Sequence, residues 1–338
     1  MFLKISRIEY KTWCIRLIPV GFFFICYYCS QLCLQSKLQP STKFLCDNII
    51  AQKKWERLNF NISRKTELFL KLKDFFWKEH QSALSLPYGI KGSELLLLKI
   101  LANYKIGNYR LPTVIESLDC RTCVVIGNGF AIKNSSLGTT INKYDIVIRM
   151  NDAPVRGYEQ DVGNKTTIRL FYPESASSYP AIHNDPDTLM VLVPFKQQDL
   201  RWLKEILYNE KRVRAGFWKP PPQIWLGRTS QLRILDPYFL HLTASKLLEM
   251  PLEPKKKQKC VHPTTGILAV FLALNYCDLV HVAGFGYPPS QNPKQPIHYY
   301  GSETMKSMKD SYHDLNHEAQ ALKRLEELGA ILSLHQHS

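Results

Sequence analysis

Hydrophobic and polar positions fall in short alternating blocks along most of this chain. Three apolar runs rich in β-branched residues, 124–126, 146–150 and 166–172, each close in a polar cluster: Gly127-Asn128-Gly129, Asn151, and Tyr172-Pro173-Glu174-Ser175. Runs of this length bounded by Gly and Asn predict buried strands. Residues 188–195 (TLMVLVPF), 231–235, 279–285 (LVHVAGF) and 330–334 predict four more. Between them lie helix-like segments at 93–102, opened by Ser93 as a cap, and at 198–208, 238–248 and 267–277 (ILAVFLALNYC), the last apolar enough to be buried all round. A final amphipathic helix begins at 313–318 and runs through Leu328, with Gly329 as its stop, while residues 68–77 read as the first amphipathic piece of the folded part and 219–222 as a Pro-rich loop. Strands alternating with helices predict one α/β domain with a largely parallel sheet flanked by helices. Such sheets take ligands outside the carboxyl ends of their strands, where the Gly and Asn clusters lie.

The amino-terminal pattern is different. Residues 1–16 carry Lys4, Arg7, Lys11 and Arg16 against a single acid, Glu9, and residues 17–34 (LIPVGFFFICYYCSQLCL) carry no charge. This predicts a short membrane span with a cytosolic tail and everything after it translocated. Small residues suited to cleavage are scarce after it, which favours an uncleaved signal-anchor over a signal peptide. A short, Phe-rich span suits the thinner membranes of the early secretory pathway. Residues 35–65 are polar without a sustained period and read as a stem, leaving 66–338 as the folded domain.

Composition adds two constraints. With 338 residues and 45% hydrophobic content a packed core is assured, and the net charge of +15 points to an anionic partner. No zinc-finger spacing or RNA-binding aromatic motif accompanies that charge, so the partner is not a nucleic acid, and the lysine run at 255–259 reads as a solvated loop. Of nine cysteines, Cys14, Cys26, Cys29 and Cys33 lie in or beside the span, where lipid exposure, palmitoylation and intermolecular pairing are all open. Cys120-Arg121-Thr122-Cys123 has redox or half-zinc-site spacing, but no second such pair exists and Cys123 opens a strand, so structural disulfides in an oxidising compartment are the better reading. Three glycosylation sequons, at Asn61, Asn134 and Asn164, agree with passage through the secretory pathway.

Candidate chemistry sits at the strand ends. Gly127-Asn128-Gly129 starts like a dinucleotide fingerprint, but Ile132 stands where the third glycine belongs. We read the glycines as openings through which a ligand approaches the backbone, with the amides of Asn128 and Asn151 suited to a ribose or base edge. Pro263-Thr264-Thr265-Gly266 opens the apolar helix; hydroxyl caps, a glycine and the positive dipole end suit an anion, so Thr265 and Gly266 complete a nucleoside monophosphate site. His298 and His313 are the proton handlers, and Asp314 or Glu318 is placed to orient an imidazole. Asp185-Pro186-Asp187 has the form of a metal-binding acid pair, although the preceding His183-Asn184 reads as turn chemistry.

Four ordered patches resemble the sialylmotifs of eukaryotic sialyltransferases, glycosyltransferase family 29: residues 123–171, 263–286, 298–301 and 313–318. The likeness runs from about residue 65 to the end, and the strings YPES, GFWK, PTTGILA, AGFGYP and IHYY are similar to the β-galactoside α2,3 branch. The resemblance implies a single-domain GT-A variant with a Rossmann-like sheet. It implies inverting, metal-independent transfer of sialic acid from CMP-sialic acid to the 3-hydroxyl of terminal β-galactose, by a single-pass type II protein of the Golgi membrane, with no cofactor. By the same resemblance Asn128 and Asn151 contact the CMP part, Thr265 and Gly266 lie at its phosphate or ribose, His298 stabilises the departing phosphate and His313 is the general base. It also implies disulfides Cys123–Cys277 and Cys46–Cys120, leaves Cys260 outside the pattern, and finds Gly301 where a polar residue is usual. Two rivals stand beside it: a metal-dependent transferase using Asp185 and Asp187, and a membrane-anchored glycan-binding protein without turnover.

Overall fold

The apolar runs become strands of one sheet. The computed structural model describes residues 26–27, 68–72, 84–103, 111–212, 214–252, 261–286, 294–308 and 312–335. The sheet belongs to the unit Ile49–Ser338, distinct from Met1–Asn48. Its strands are β1 (Thr122–Ile126), β2 (Ile146–Met150), β3 (Ile168–Phe171), β4 (Leu189–Leu192), β5 (Leu232–Ile234), β6 (Leu279–Ala283) and β7 (Leu332–Ser333). They lie in the order β5-β4-β3-β2-β1-β6-β7, and every neighbouring pair is parallel.

Alternation within each run decides which core a residue enters. Cys123, Val125, Ile146, Ile148 and Met150 face one layer, built on α4 (Thr265–Tyr276). Val124, Ile126 and Val147 face another, with Ile132, Ile141 and Val162. A third cluster places α1 (Glu94–Leu101) and α2 (Gln197–Leu207) over the end of the sheet that holds β4 and β5. The helix α4 is apolar on every side because one face packs on β1, β2, β3 and β6, while Phe239, Leu240, Ala321 and Leu325 share its core cluster. Its last turn is tied to the first strand by the Cys123–Cys277 disulfide, with Cα atoms 6.0 Å apart across 154 residues of sequence. The last helix, α5 (Leu315–Glu327), ends as expected at Gly329, whose φ of 68° serves as the left-handed stop.

Several details depart from the sequence reading. Ser93 occupies the N-cap position of α1, but its side chain makes no capping bond. The helix expected over 238–248 breaks in two: α3 (Pro237–Leu242), capped by Asp236, passes into a π-turn, Thr243–Leu247. The hydroxyls of Thr243 and Ser245 donate to the carbonyls of Phe239 and His241 at 2.9 and 2.8 Å, and such back-bonding competes with the regular ladder. Strands expected over 166–172, 188–195 and 330–334 are shorter by three or four residues, partly because Thr188 Oγ1 donates to Thr166 O across the strand starts. Of the stretch 68–77 only 68–72 is described; Phe69 forms an antiparallel bridge with Leu235, so the piece is extended there. Among the described residues no helix is long and apolar enough to cross a membrane, and the expected span, bar residues 26–27, lies outside them, as do the tail, the whole stem, Asn61, Cys46 and Cys260. Cys120 is disulfide-bonded. Asn134 and Asn164 are both exposed.

Candidate active site

The strand order reverses at β1, with β2 to β5 on one side and β6 and β7 on the other, so the crevice between the loops after β1 and β6 is the topological switch point. Those loops touch. Gly127 N donates to Ala283 O and Gly129 N to Gly284 O, each at 2.7 Å. A Cβ on Gly127 would stand 2.3 Å from Gly284 O, and one on Gly129 2.6 Å from the same atom. The glycines therefore serve a crossing of two backbones; the reading of them as openings for a ligand is overturned. The crossing is pinned further by His335 Nε2, which accepts from Gly284 N at 2.8 Å.

The same crossing delivers His298. Gly129 and His298 form an antiparallel bridge, Phe130 N donates to Ile297 O and Tyr299 N to Asn128 O, both at 3.0 Å. Asn128 Nδ2 reaches Tyr300 Oη at 3.3 Å, and the rings of His298 and Tyr300 stack at 5.1 Å. Burial lowers the pKa of His298 against the pull of Glu303 and Asp152, so the imidazole is disposed to be neutral until an anion approaches. Gly301 has φ +67°, the backbone reason a glycine stands where a polar residue was expected.

Asn151 leaves β2 in the left-handed region, φ 57°. Its N–H donates to Leu170 O at 2.7 Å, and its carbonyl accepts from Arg169 Nη1 at 2.9 Å. Its side-chain Oδ1 is buried with no partner among the described residues, a standing acceptor of the kind a nucleoside edge fills. Arg169 is itself buried and spends its other donors on Ala153 O, His183 O and Asn184 Oδ1.

At the mouth of α4, Thr264 is the N-cap: its Oγ1 accepts from Ile267 N at 3.2 Å. Thr265, the first helical residue, is buried. A Cβ on Gly266 would meet Phe285 at 3.5 Å and Met150 Sδ at 3.8 Å, ordinary contacts, and Thr264 Oγ1 a little closer at 3.3 Å. No backbone crowds Gly266, in contrast to Gly127 and Gly129, so the glycine keeps a face open beside the helix dipole.

Neither expected carboxylate holds an imidazole. Glu318 instead accepts from Thr264 N at 2.7 Å and from Thr264 Oγ1, joining the start of α5 to the start of α4; burial pushes it up to about 7 against those two bonds. Asp314 caps α5 by accepting from His317 N at 3.0 Å. His313 Nδ1 lies 2.8 Å from the backbone carbonyl oxygen of His262. A carbonyl only accepts, so Nδ1 carries the proton and Nε2 is the basic nitrogen.

His262 is a residue that the sequence alone does not single out. Its ring stacks on Phe195 at 4.6 Å and stands edge-on to His313 at 4.8 Å, and burial with the neighbouring His313 lowers it to about 4. A second unforeseen group is the buried Glu174, ion-paired with Lys196, beside Asp199, whose carboxyl is raised to about 7 by burial and by Glu174. The His-Pro-Thr-Thr spacing and the acid of Tyr172-Pro173-Glu174-Ser175 were the available signals for both.

The acid pair lies elsewhere. Asp185 accepts from Thr166 N at 2.7 Å, two residues before β3, so it and Asp187 sit at the amino rim of the sheet, opposite the site. Among the described residues no group of three His, Cys, Asp or Glu is placed to hold a metal.

Comparison with known proteins adds to this geometry. Residues 69–330 match the family model described as glycosyltransferase family 29 (sialyltransferase). The chain is 56% identical over 284 residues to the CMP-N-acetylneuraminate-beta-galactosamide-alpha-2,3-sialyltransferase 4 of Rattus norvegicus, 84% of each chain, and 54% identical over 295 residues to that of Homo sapiens, 87% of each. It is 46% identical over 252 residues to a type 2 lactosamine alpha-2,3-sialyltransferase of Rattus norvegicus, 74% of this chain and 75% of the relative. The crystal structure of a mammalian sialyltransferase superposes with a TM-score of 0.64 at 25% identity, covering 86% of this chain and 97% of the other. Sequence, fold and relatives agree, and this chain is a member of glycosyltransferase family 29, the sialyltransferases.

Proposed function

We propose that the chain transfers sialic acid from CMP-sialic acid to the 3-hydroxyl of terminal β-galactose on glycoprotein or glycolipid glycans. One observation carries the reading beyond family membership: the orphaned Oδ1 of Asn151, the open start of α4 at Gly266 and the backbone-bridged His298 all lie at the carboxyl rim of the switch point. Asn128 and Asn151 hold the cytidine part, and Thr265 and Gly266 offer the helix terminus to the phosphate. His313 Nε2 takes the proton of the galactose 3-hydroxyl as that oxygen bonds to the anomeric carbon of sialic acid. The bond from that carbon to the phosphate oxygen breaks on the opposite face, CMP leaves, and the configuration inverts. His298 donates a hydrogen bond to the departing phosphate oxygen and so stabilises the negative charge that builds there. A monophosphate with a helix terminus and an imidazole needs no metal to leave, so transfer persists in EDTA.

The Cys123–Cys277 disulfide and the exposed sequons at Asn134 and Asn164 support a lumenal catalytic domain anchored in the Golgi membrane through residues 17–34. The test is product linkage from labelled CMP-sialic acid offered to a panel of galactose-terminated glycans, with His313→Ala alongside. An α2,3 product from the wild type, with CMP binding but no turnover in the variant, is expected. Normal turnover by His313→Ala would sink the base assignment.

A further inference from the structure

Residues 216–226 form an apolar lip that the chemistry above leaves unused. Two anchors fix where it lies. The ring of Phe217 lies 4.9 Å from Lys196 Nζ, and Lys196 follows Phe195, whose ring packs on His262 beside His313. Two residues on, Lys219 pairs with Asp152 at 3.2 Å, next to Asn151. The residue between these anchors, Trp218, has 73% of its surface exposed. The backbone at Trp218 therefore runs between the side of the site that holds His313 and the side that holds Asn151. The lip has a firm base, because Trp225 stacks on Phe171 at the end of β3, centroids 5.5 Å apart. Leu226 N donates to Ser178 O at 2.9 Å, which joins the lip to the segment carrying the exposed Tyr179.

A lone exposed apolar side chain is ordinary, but a tryptophan held out between two pinned neighbours at a site mouth is an arrangement for contact. The chemistry of the contact follows from the acceptor, and the inference rests on the function proposed above. With its 3-hydroxyl at His313, a galactose presents its anomeric linkage away from the base, so the sugar attached there extends toward the rim. Pyranose rings carry an apolar C–H face, which an indole covers, and polar edges, which Lys219 and Asp152 can meet. We propose that Trp218 stacks on the sugar to which the acceptor galactose is linked, which makes the lip a subsite selecting disaccharide or longer acceptors.

The test compares kcat/KM for galactosyl-β-N-acetylglucosamine with that for methyl β-galactoside in wild-type, Trp218→Ala and Trp218→Phe proteins. The disaccharide-to-monosaccharide ratio should fall about tenfold in Trp218→Ala and less in Trp218→Phe, the scale of one lost aromatic contact. An unchanged ratio, or equal loss on both acceptors, would overturn the subsite. If the wild type transferred to neither acceptor, the function reading itself would fail. Saturation-transfer NMR with the same disaccharide then decides the subsite alone: signals from the second sugar lost in Trp218→Ala support it, and signals retained overturn it.

Discussion

Replacing Glu318 by glutamine separates charge from shape at the joint between α4 and α5. The carboxylate is 7% exposed, accepts from Thr264 N and Oγ1, and is raised from its ordinary 4.5 to about 7, chiefly by burial. Between those two pH values the folded protein holds a proton that the unfolded chain has released. The contribution is thus fully present below pH 4.5 and is lost as the pH rises to 7. A shift of that size corresponds to about 3 kcal/mol. Glutamine has the same outline and no proton to lose, so Glu318→Gln lacks this dependence. In thermal melts at pH 5.0 and 7.5 the variant should gain on the wild type by roughly 6 °C between the two, at about 2 °C per kcal/mol for a domain of this size. A constant difference, or one in which the wild type gains with pH, would show an ionised carboxylate held by Thr264 and refute burial as the dominant influence.

Further expectations concern the frame and the donor side. Losing the cross-link in Cys277→Ser, which closes a separation of 154 residues, should cost about 2–5 kcal/mol and lower Tm under non-reducing conditions; an unchanged Tm would count against a structural role. Gly127→Ala should lower stability by at least about 1–3 kcal/mol in chemical denaturation, because its Cβ would stand 2.3 Å from a backbone oxygen, whereas Gly266→Ala should leave stability nearly intact and raise the KM for CMP-sialic acid. Arg169→Lys should raise the same KM about tenfold with kcat less affected, since one ammonium cannot hold the Asn151, Ala153 and His183 carbonyls together; equal falls in kcat with KM unmoved would mean Arg169 does not act through Asn151.

The parts legible in the sequence are those whose physics is local or periodic. A continuous apolar run such as 146–150 becomes a strand buried on both faces, and the all-apolar 267–277 becomes the helix that four strands cover, because burial on every side removes the polar stripe an exposed helix would show. Helix 238–248 failed for a local reason too: Thr243 and Ser245 are helix-neutral in a propensity sum, and only the structure shows their hydroxyls taking carbonyls from the ladder. The disulfide partner of Cys123 came through family likeness, since spacing alone does not choose among the available cysteines.

What stayed hidden is long-range. A Gly-Asn-Gly turn is identical in sequence whether a ligand or another backbone comes close, and only the distance to Gly284, 157 residues away, decides for the backbone. Glu318 shows the same ambiguity. Its place in the first turn of α5 suggests a carboxylate that orients a nearby imidazole, yet its strongest attraction is to the two donors of Thr264 at another helix start. That substitution changes what the acid does. By tying α4 to α5 it fixes the start of α4 relative to His313, while the carbonyl of His262 holds the Nδ1 proton and leaves Nε2 as the accepting nitrogen.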